Sequence, residues 1–247
     1  MAVARNGPRR WVDLAGRIEI RVLAAALATA AAAWAFLALA GEVREGDTTG
    51  FDRQVLLWFR SPSDLAEPIG PRWLRETARD VTALGGFTVL TLVVISAVVL
   101  LLMNGRRLQA GIVAGVVIAA QALVETLKAA LGRARPDLVP HHDLVYSASF
   151  PSGHSAMTPV VYLTLAAILA AGEPRRSVRA FLLVAAVLLV IAVGISRVYL
   201  GVHWPTDVLA GWTLGCGIAI AAELALHRTA PRRGKGAEVA ADAPGSD

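Results

Sequence analysis

Apolar residues fall in six long blocks along the chain, at about residues 20–41, 82–103, 108–130, 155–171, 178–196 and 205–226, with most charges between them. A bilayer core of about 30 Å needs roughly 20 apolar helical residues to cross it. A backbone in lipid must also satisfy its own hydrogen bonds. The pattern therefore predicts an all-α fold, a six-span transmembrane helical bundle. The fourth and fifth blocks are short, and Arg175, Arg176 and Arg179 between them are placed to snorkel to the interface. One connection is long. In segment 42–81, Phe51, Val55, Leu56, Trp58 and Phe59 are spaced to share one face of a helix. They predict an external amphipathic segment, either flat on the membrane surface or packed on the bundle. Residues 1–19 then form a basic cytoplasmic N-terminus, residues 20–228 the bundle, and residues 229–247, rich in Ala, Gly, Pro and charge, a disordered cytoplasmic tail.

Composition strengthens the membrane reading. Charged residues make up 17% of the chain, below the roughly 25% of an average soluble domain. The net charge of +5 would suit a nucleic-acid binder. The arginines, however, lie mostly at the chain ends and between apolar blocks, where they act as topology signals and contacts to anionic headgroups. Membrane lipids are the expected partners, and nucleic acid is not. With alternating spans, 14 of the 24 basic residues fall on one side, so the positive-inside rule puts both termini in the cytoplasm. The first block follows a basic stretch and ends near Ala38-Leu39-Ala40, like a signal peptide, but its long flank predicts an uncleaved anchor. The single cysteine, Cys216, allows neither an intrachain disulfide nor a multi-cysteine zinc site.

Three polar clusters stand at ends of spans, all on the predicted external side. Lys128 to Pro136 closes the third span, Pro151-Ser152-Gly153-His154 opens the fourth, and Ser196-Arg197, His203 and Asp207 cross from the fifth to the sixth. Lys128, Arg135 and Arg197 are cations where a membrane protein ordinarily avoids them. Together they suit a multiply charged anion, the arginines offering planar bidentate contacts to phosphate. Gly132 is placed to cap the third span and turn the chain. Ser152, Gly153 and His154 begin a helix, whose free N–H groups favour an anion. His203 and Asp207 are four apart and share a face, so the carboxylate can hold one ring nitrogen and leave the other free to attack. His154 is then available to protonate a leaving alcohol. Each residue alone has a bland reading, as a snorkelling anchor, a cap or a surface pair. Their joint occurrence on one face is what points to phosphoryl transfer.

The clusters resemble the three-part signature of the type 2 phosphatidic acid phosphatase family, whose site architecture is shared with vanadium haloperoxidases. All eleven fixed positions match: Lys128, Arg135 and Pro136; Pro151, Ser152, Gly153 and His154; Ser196, Arg197, His203 and Asp207. The resemblance implies a membrane hydrolase acting on a lipid phosphate or diphosphate without metal or other cofactor, its active site on the external face of the cell membrane. His203 would form a phosphohistidine, His154 serve as acid and then base, and Asp207 orient His203. Lys128, Arg135, Ser152, Gly153 and Arg197 would hold the phosphoryl oxygens. Polyprenyl diphosphate comes first among implied substrates, ahead of phosphatidylglycerol phosphate and phosphatidic acid. A lipid phosphotransferase with the same site, or a transporter that has lost catalysis, are the alternatives; the lipid spans argue against haloperoxidase chemistry.

Other residues carry smaller expectations. Glu125, one turn before Lys128, is a candidate partner for it or faces a polar crevice. His141, His142 and Asp143 are read as loop or substrate-rim residues, Arg133 as a headgroup contact, and Glu223 and His227 as interface residues.

Overall fold

The computed structural model describes residues 7–143 and 147–227, with side chains from residue 20 to residue 226; the predicted tail and His227's side chain lie outside these. Helix α1 (Gly7–Glu45) leads into α2 (Thr49–Trp58), a small hairpin of β1 (Arg60–Ser61) and β2 (Asp64–Pro68), and α3 (Arg72–Ala83). Then come α4 (Phe87–Met103), α5 (Arg107–Leu131) and α6 (Gly153–Thr158), which continues through a π-helical turn (Pro159–Leu163) into α7 (Thr164–Gly172). Helices α8 (Arg176–Tyr199) and α9 (Pro205–His227) complete the order. The π turn falls where Pro159 has no N–H to give to Ser155, a loss absorbed by one widened turn.

Among the described residues, five helical stretches are long and apolar enough to cross a membrane: Ile20–Glu45, Arg107–Leu131, Gly153–Gly172, Arg176–Tyr199 and Pro205–Leu226. The sixth is α3 joined to α4 across a 44° bend. The second span therefore begins differently from the expected start at 82. Residues 84–86 form a turn, with Gly85 N–H donating to Thr82 O at 2.9 Å and Gly86 N–H to Ala83 O at 3.0 Å. The rest are close to their predicted limits.

Helix α2 divides the apolar residues of segment 42–81 between a covered and an exposed side. Leu56 is fully buried against Val139, Val198 and Val208, while Phe51 and Trp58 are 49% and 64% exposed. Helix α2 is thus packed on the bundle through Leu56, and it shares the end where α5 and α8 finish and α6 and α9 begin. Buried Arg60 fastens the hairpin there, its Nη2 donating to Tyr199 O at 3.0 Å.

Close approach of α6 and α9 sets the geometry of that end. A Cβ at Gly211 would stand 2.8 Å from Ser152 O, and one at Gly215 would collide with Ala156 O. Glycines one turn apart let the two backbones meet, as small residues do between membrane helices. The contact brings the start of α6, with His154, beside the start of α9, with Asp207.

Candidate active site

The three polar clusters converge at this one end. Gly132 ends α5 in the left-handed conformation (φ +55°), its N–H donating to Lys128 O at 3.0 Å, the cap its position predicts. The buried Lys128 side chain runs past Gly153, where a Cβ would lie 3.7 Å from Lys128 Cε. Its Nζ donates to Ala148 O at 2.7 Å and Ser147 Oγ at 3.1 Å. Arg135 gives Nε to Ser147 O at 2.8 Å and Nη1 to Val202 O at 2.7 Å.

Ser152 caps α6, its Oγ accepting from Ser155 N–H at 3.4 Å and Ser155 Oγ at 3.0 Å. Its own N–H donates to the carbonyl of Asp207 at 3.0 Å. The His154 ring lies beside the α3–α4 turn; a Cβ at Gly85 would be 3.2 Å from its Cδ2. Arg197, 2% exposed, donates through Nη1 to Asp143 Oδ2 at 2.5 Å and Thr82 Oγ1 at 3.0 Å. Its buried Nε has no acceptor among the described residues, a costly state for a donor unless something supplies one.

His203 is 1% exposed, and its two ring nitrogens face different surroundings. Nδ1 lies 3.4 Å from Asp207 Oδ2 and 3.3 Å from Ser149 Oγ, while Nε2 lies 3.2 Å from Arg135 Nη1. Burial pushes the ring down to about 3, with Arg197 and Arg135 acting in the same direction and Asp207 opposing. The imidazole is therefore neutral at physiological pH. A proton on Nδ1, held by Asp207, leaves the Nε2 lone pair directed at Arg135. Arg135 is itself lowered to about 10, by burial first and then by Arg197, and it stays cationic.

Asp207 is fully buried. Its Oδ2 accepts from Ser149 Oγ at 2.5 Å and Trp204 N–H at 2.9 Å, and its Oδ1 accepts from Arg133 Nη1 at 2.6 Å. Arg133 thus departs from the expected headgroup contact, because buried acids compete for it more strongly than solvent does. Glu125 accepts from Gln121 Nε2 at 3.1 Å and forms no ion pair with Lys128 among the described residues. An exposed carboxylate on α5 reaches its i−4 neighbour more readily than a lysine turned inward. His141 Nε2 is 2.7 Å from Pro136 O within its own loop, and His142 Nε2 is 3.0 Å from Ala66 O of β2, so the first ring braces the loop and the second ties it to the hairpin. Asp143, read as a rim residue, pairs with Arg197. Glu223 lines a cavity of about 620 Å³ at the opposite end with Arg176 and Arg179.

Sequence reasoning missed Ser149, Asp52 and Thr206. A serine in a loop carries no pattern, and Asp52 lies on a separate helix. Next to the site, α4 and α5 enclose an apolar groove of about 630 Å³, whose lining includes Phe87, Leu90, Val94, Ile118, Gln121 and Met157. Phe87 follows the turn beside His154, and Met157 is one helical turn beyond it.

The family model of the PAP2 superfamily matches residues 109–230. Phosphatidylglycerophosphatase B of Bacillus subtilis is 35% identical over 186 residues, 73% of this chain and 85% of that protein. The chain belongs to the PAP2 superfamily. Another relative, an undecaprenyl-diphosphatase of Sulfolobus acidocaldarius, is 38% identical over 71 residues, 29% of this chain and 30% of its own length. The crystal structure of a transmembrane PAP2-type phosphatidylglycerolphosphate phosphatase from Bacillus subtilis superposes with a TM-score of 0.70 at 28% identity, covering 83% of this chain and 98% of the other. The PAP2 match includes all three polar clusters, from Lys128 to Asp207.

Proposed function

We propose that this chain is a metal-independent membrane lipid phosphatase working through a phosphohistidine on His203. The observation that carries the reading is the division of labour on the His203 ring: Nδ1 toward Asp207 and Nε2 toward Arg135. A phosphoryl group entering beside Arg135 meets a lone pair aligned for attack. In the first step a bond forms from Nε2 to phosphorus, the phosphorus–oxygen bond to the lipid breaks, and His154 gives its proton to the departing oxygen. In the second, His154 takes a proton from water as the water oxygen attacks phosphorus, the phosphorus–nitrogen bond breaks, and inorganic phosphate leaves. Lys128, Arg135, Arg197, the Ser152 hydroxyl and the Gly153 N–H stabilise the negative charge on the phosphoryl oxygens. The Arg197 Nε, without an acceptor among the described residues, is one donor suited to that role.

The groove between α4 and α5 gives a lipid chain a path from the bilayer to a headgroup held at the site. Similarity across 85% of a phosphatidylglycerophosphatase B favours phosphatidylglycerol phosphate, ahead of the polyprenyl diphosphate implied by family association. The basic loops at 106–107 and 175–179 lie at the opposite end from the site, which supports a cytoplasmic placement of both termini and an external active site.

The test is phosphate release by purified protein in detergent with EDTA present, from phosphatidylglycerol phosphate, polyprenyl diphosphate and phosphatidic acid, alongside His203→Ala. Release from at least one lipid that vanishes in the variant is the expected result. Release abolished by EDTA and restored by magnesium would sink metal independence. Equal release by His203→Ala would sink the phosphohistidine.

A further inference from the structure

The network around Asp207 extends beyond the motif residues. The guanidinium of Arg133 is a fork between two buried acids. Nη1 donates to Asp207 Oδ1 at 2.6 Å and Thr206 Oγ1 at 2.8 Å, and Nη2 donates to Asp52 Oδ2 at 2.6 Å. Asp52, 1% exposed, also accepts the Thr206 N–H at 2.9 Å and the Thr206 hydroxyl at 2.7 Å. It therefore caps the first turn of α9 from outside that helix. Arg133 lies 5.8 Å from the centroid of the Trp204 ring, so the fork is held by an aromatic face as well as by hydrogen bonds.

The two oxygens of Asp207 have separate duties. Oδ2 is the oxygen turned to His203 Nδ1, Ser149 and Trp204 N–H, whereas Oδ1 is occupied by Arg133. A carboxylate is planar, so whatever fixes Oδ1 fixes the direction in which Oδ2 points. Helix α2 holds Asp52, Asp52 holds one arm of Arg133, and the other arm sets the plane of the carboxylate that holds the imidazole.

We infer that Asp52 and Arg133 are positioning residues for the nucleophile, with α2 setting the orientation of Asp207 through the Arg133 fork. This rests on the reading of His203 as nucleophile. It makes a segment outside the signature part of the catalytic apparatus. A purely structural network would hold α2 on the bundle and leave turnover untouched once the protein is folded.

The experiment measures kcat and KM on dioleoyl phosphatidic acid in dodecyl maltoside with EDTA, and thermal unfolding of each variant in the same detergent. The variants are Arg133→Gln, Arg133→Lys and Asp52→Asn, each alone and combined with Asp207→Asn, with His203→Ala alongside. Arg133→Gln is expected to lower kcat about 30-fold to 100-fold with KM changed less than about twofold. Asp52→Asn should lower it about fivefold, and Arg133→Lys should fall between wild type and Arg133→Gln because it keeps one bond to Asp207. In the Asp207→Asn background these losses should shrink to less than about threefold, since residues acting through a shared partner are not additive.

A rise in KM at constant kcat would make Arg133 a headgroup contact and overturn the inference. Losses that multiply fully with Asp207→Asn would overturn it too, as would unchanged kcat in variants that unfold at the wild-type temperature. If Arg133→Gln does not fold, Arg133→Lys and Asp52→Asn decide by the same criteria. Full release by His203→Ala means that the reading of the site has failed. An inactive His203→Ala beside unaffected Arg133 and Asp52 variants means that only the positioning role has failed.

Discussion

Arg135 Nη1 stands 3.2 Å from His203 Nε2, so the cation and the proposed nucleophile share one point of approach. In the proposed reaction a phosphoryl oxygen entering there would exchange an arginine–imidazole contact for an arginine–oxyanion contact and release the Nε2 lone pair toward phosphorus. Removing a preorganised donor from developing charge costs on the order of 10²- to 10³-fold in kcat. Arg135→Ala is expected to lose that much in phosphate release from the preferred lipid. Arg135→Lys should recover only part of it, because an ammonium cannot also hold Ser147 O and Val202 O.

Ser149 donates to Asp207 Oδ2 at 2.5 Å and carries no signature of its own. A hydrogen bond to a charged group contributes about 1.5–3 kcal/mol. If that bond is held equally before and during turnover, its loss appears in stability alone. The contact at 3.3 Å to His203 Nδ1 argues otherwise, since in the proposed reaction imidazolium character grows as Nε2 attacks. Ser149→Ala is expected to lower kcat roughly tenfold or more, by about the same energy, read by steady-state kinetics on protein that unfolds within a few degrees of wild type.

Acid should weaken the fold through His203. Its folded pKa is lowered from 6.5 to about 3, chiefly by burial. Between those values the unfolded chain binds a proton that the folded chain refuses. Stability therefore rises with pH across this window and is lost as pH falls through it. Thermal unfolding in detergent should show a falling midpoint from pH 7 to pH 4, with a smaller fall in His203→Gln. An equal fall in both proteins would show that other groups carry the acid sensitivity.

Gly215 faces Ala156 O with no room for a side chain. Gly215→Val is expected to force α9 away from α6, at a cost of at least about 1–3 kcal/mol for overpacking. Phosphate release should fall with it, since Asp207 and His154 sit at the starts of the two helices. The check pairs thermal unfolding with activity. Full activity in a protein of native stability would mean that the helices separate without disturbing the site.

The spans and the motif clusters were legible because each announces itself locally. A run of apolar residues declares a lipid environment, and Lys128, Arg135 and Arg197 are conspicuous where a bundle would ordinarily place none. The cap at Gly132 was legible for the same reason. Asp52 and Arg133 were not, since they are 81 positions apart and neither is unusual where it stands. An arginine at a helix end is ordinarily a snorkelling anchor, and only the fold reveals two buried carboxylates waiting for it. Similarly, Thr82–Gly86 is apolar enough to pass as the beginning of a span, and the bend there becomes visible only once α3 is in place against α8. Leu56 and Trp58 have similar polarity in sequence, and which of them is covered depends on Val139, Val198 and Val208, residues from three other parts of the chain.

The bond from Ser152 N–H to the carbonyl of Asp207 joins the peptide backbones that open α6 and α9. Because the joint is made by main chain, only proline at position 152 would remove its donor directly. In the proposed mechanism the spacing between the helix that carries His154 and the helix that follows His203 is set by peptide geometry, like the gap between the jaws of a fixed wrench. The walls of the α4–α5 groove and the covering elements α2 and α3 are then free to diverge, and under the proposed function such changes would alter which lipid is admitted without resetting that spacing.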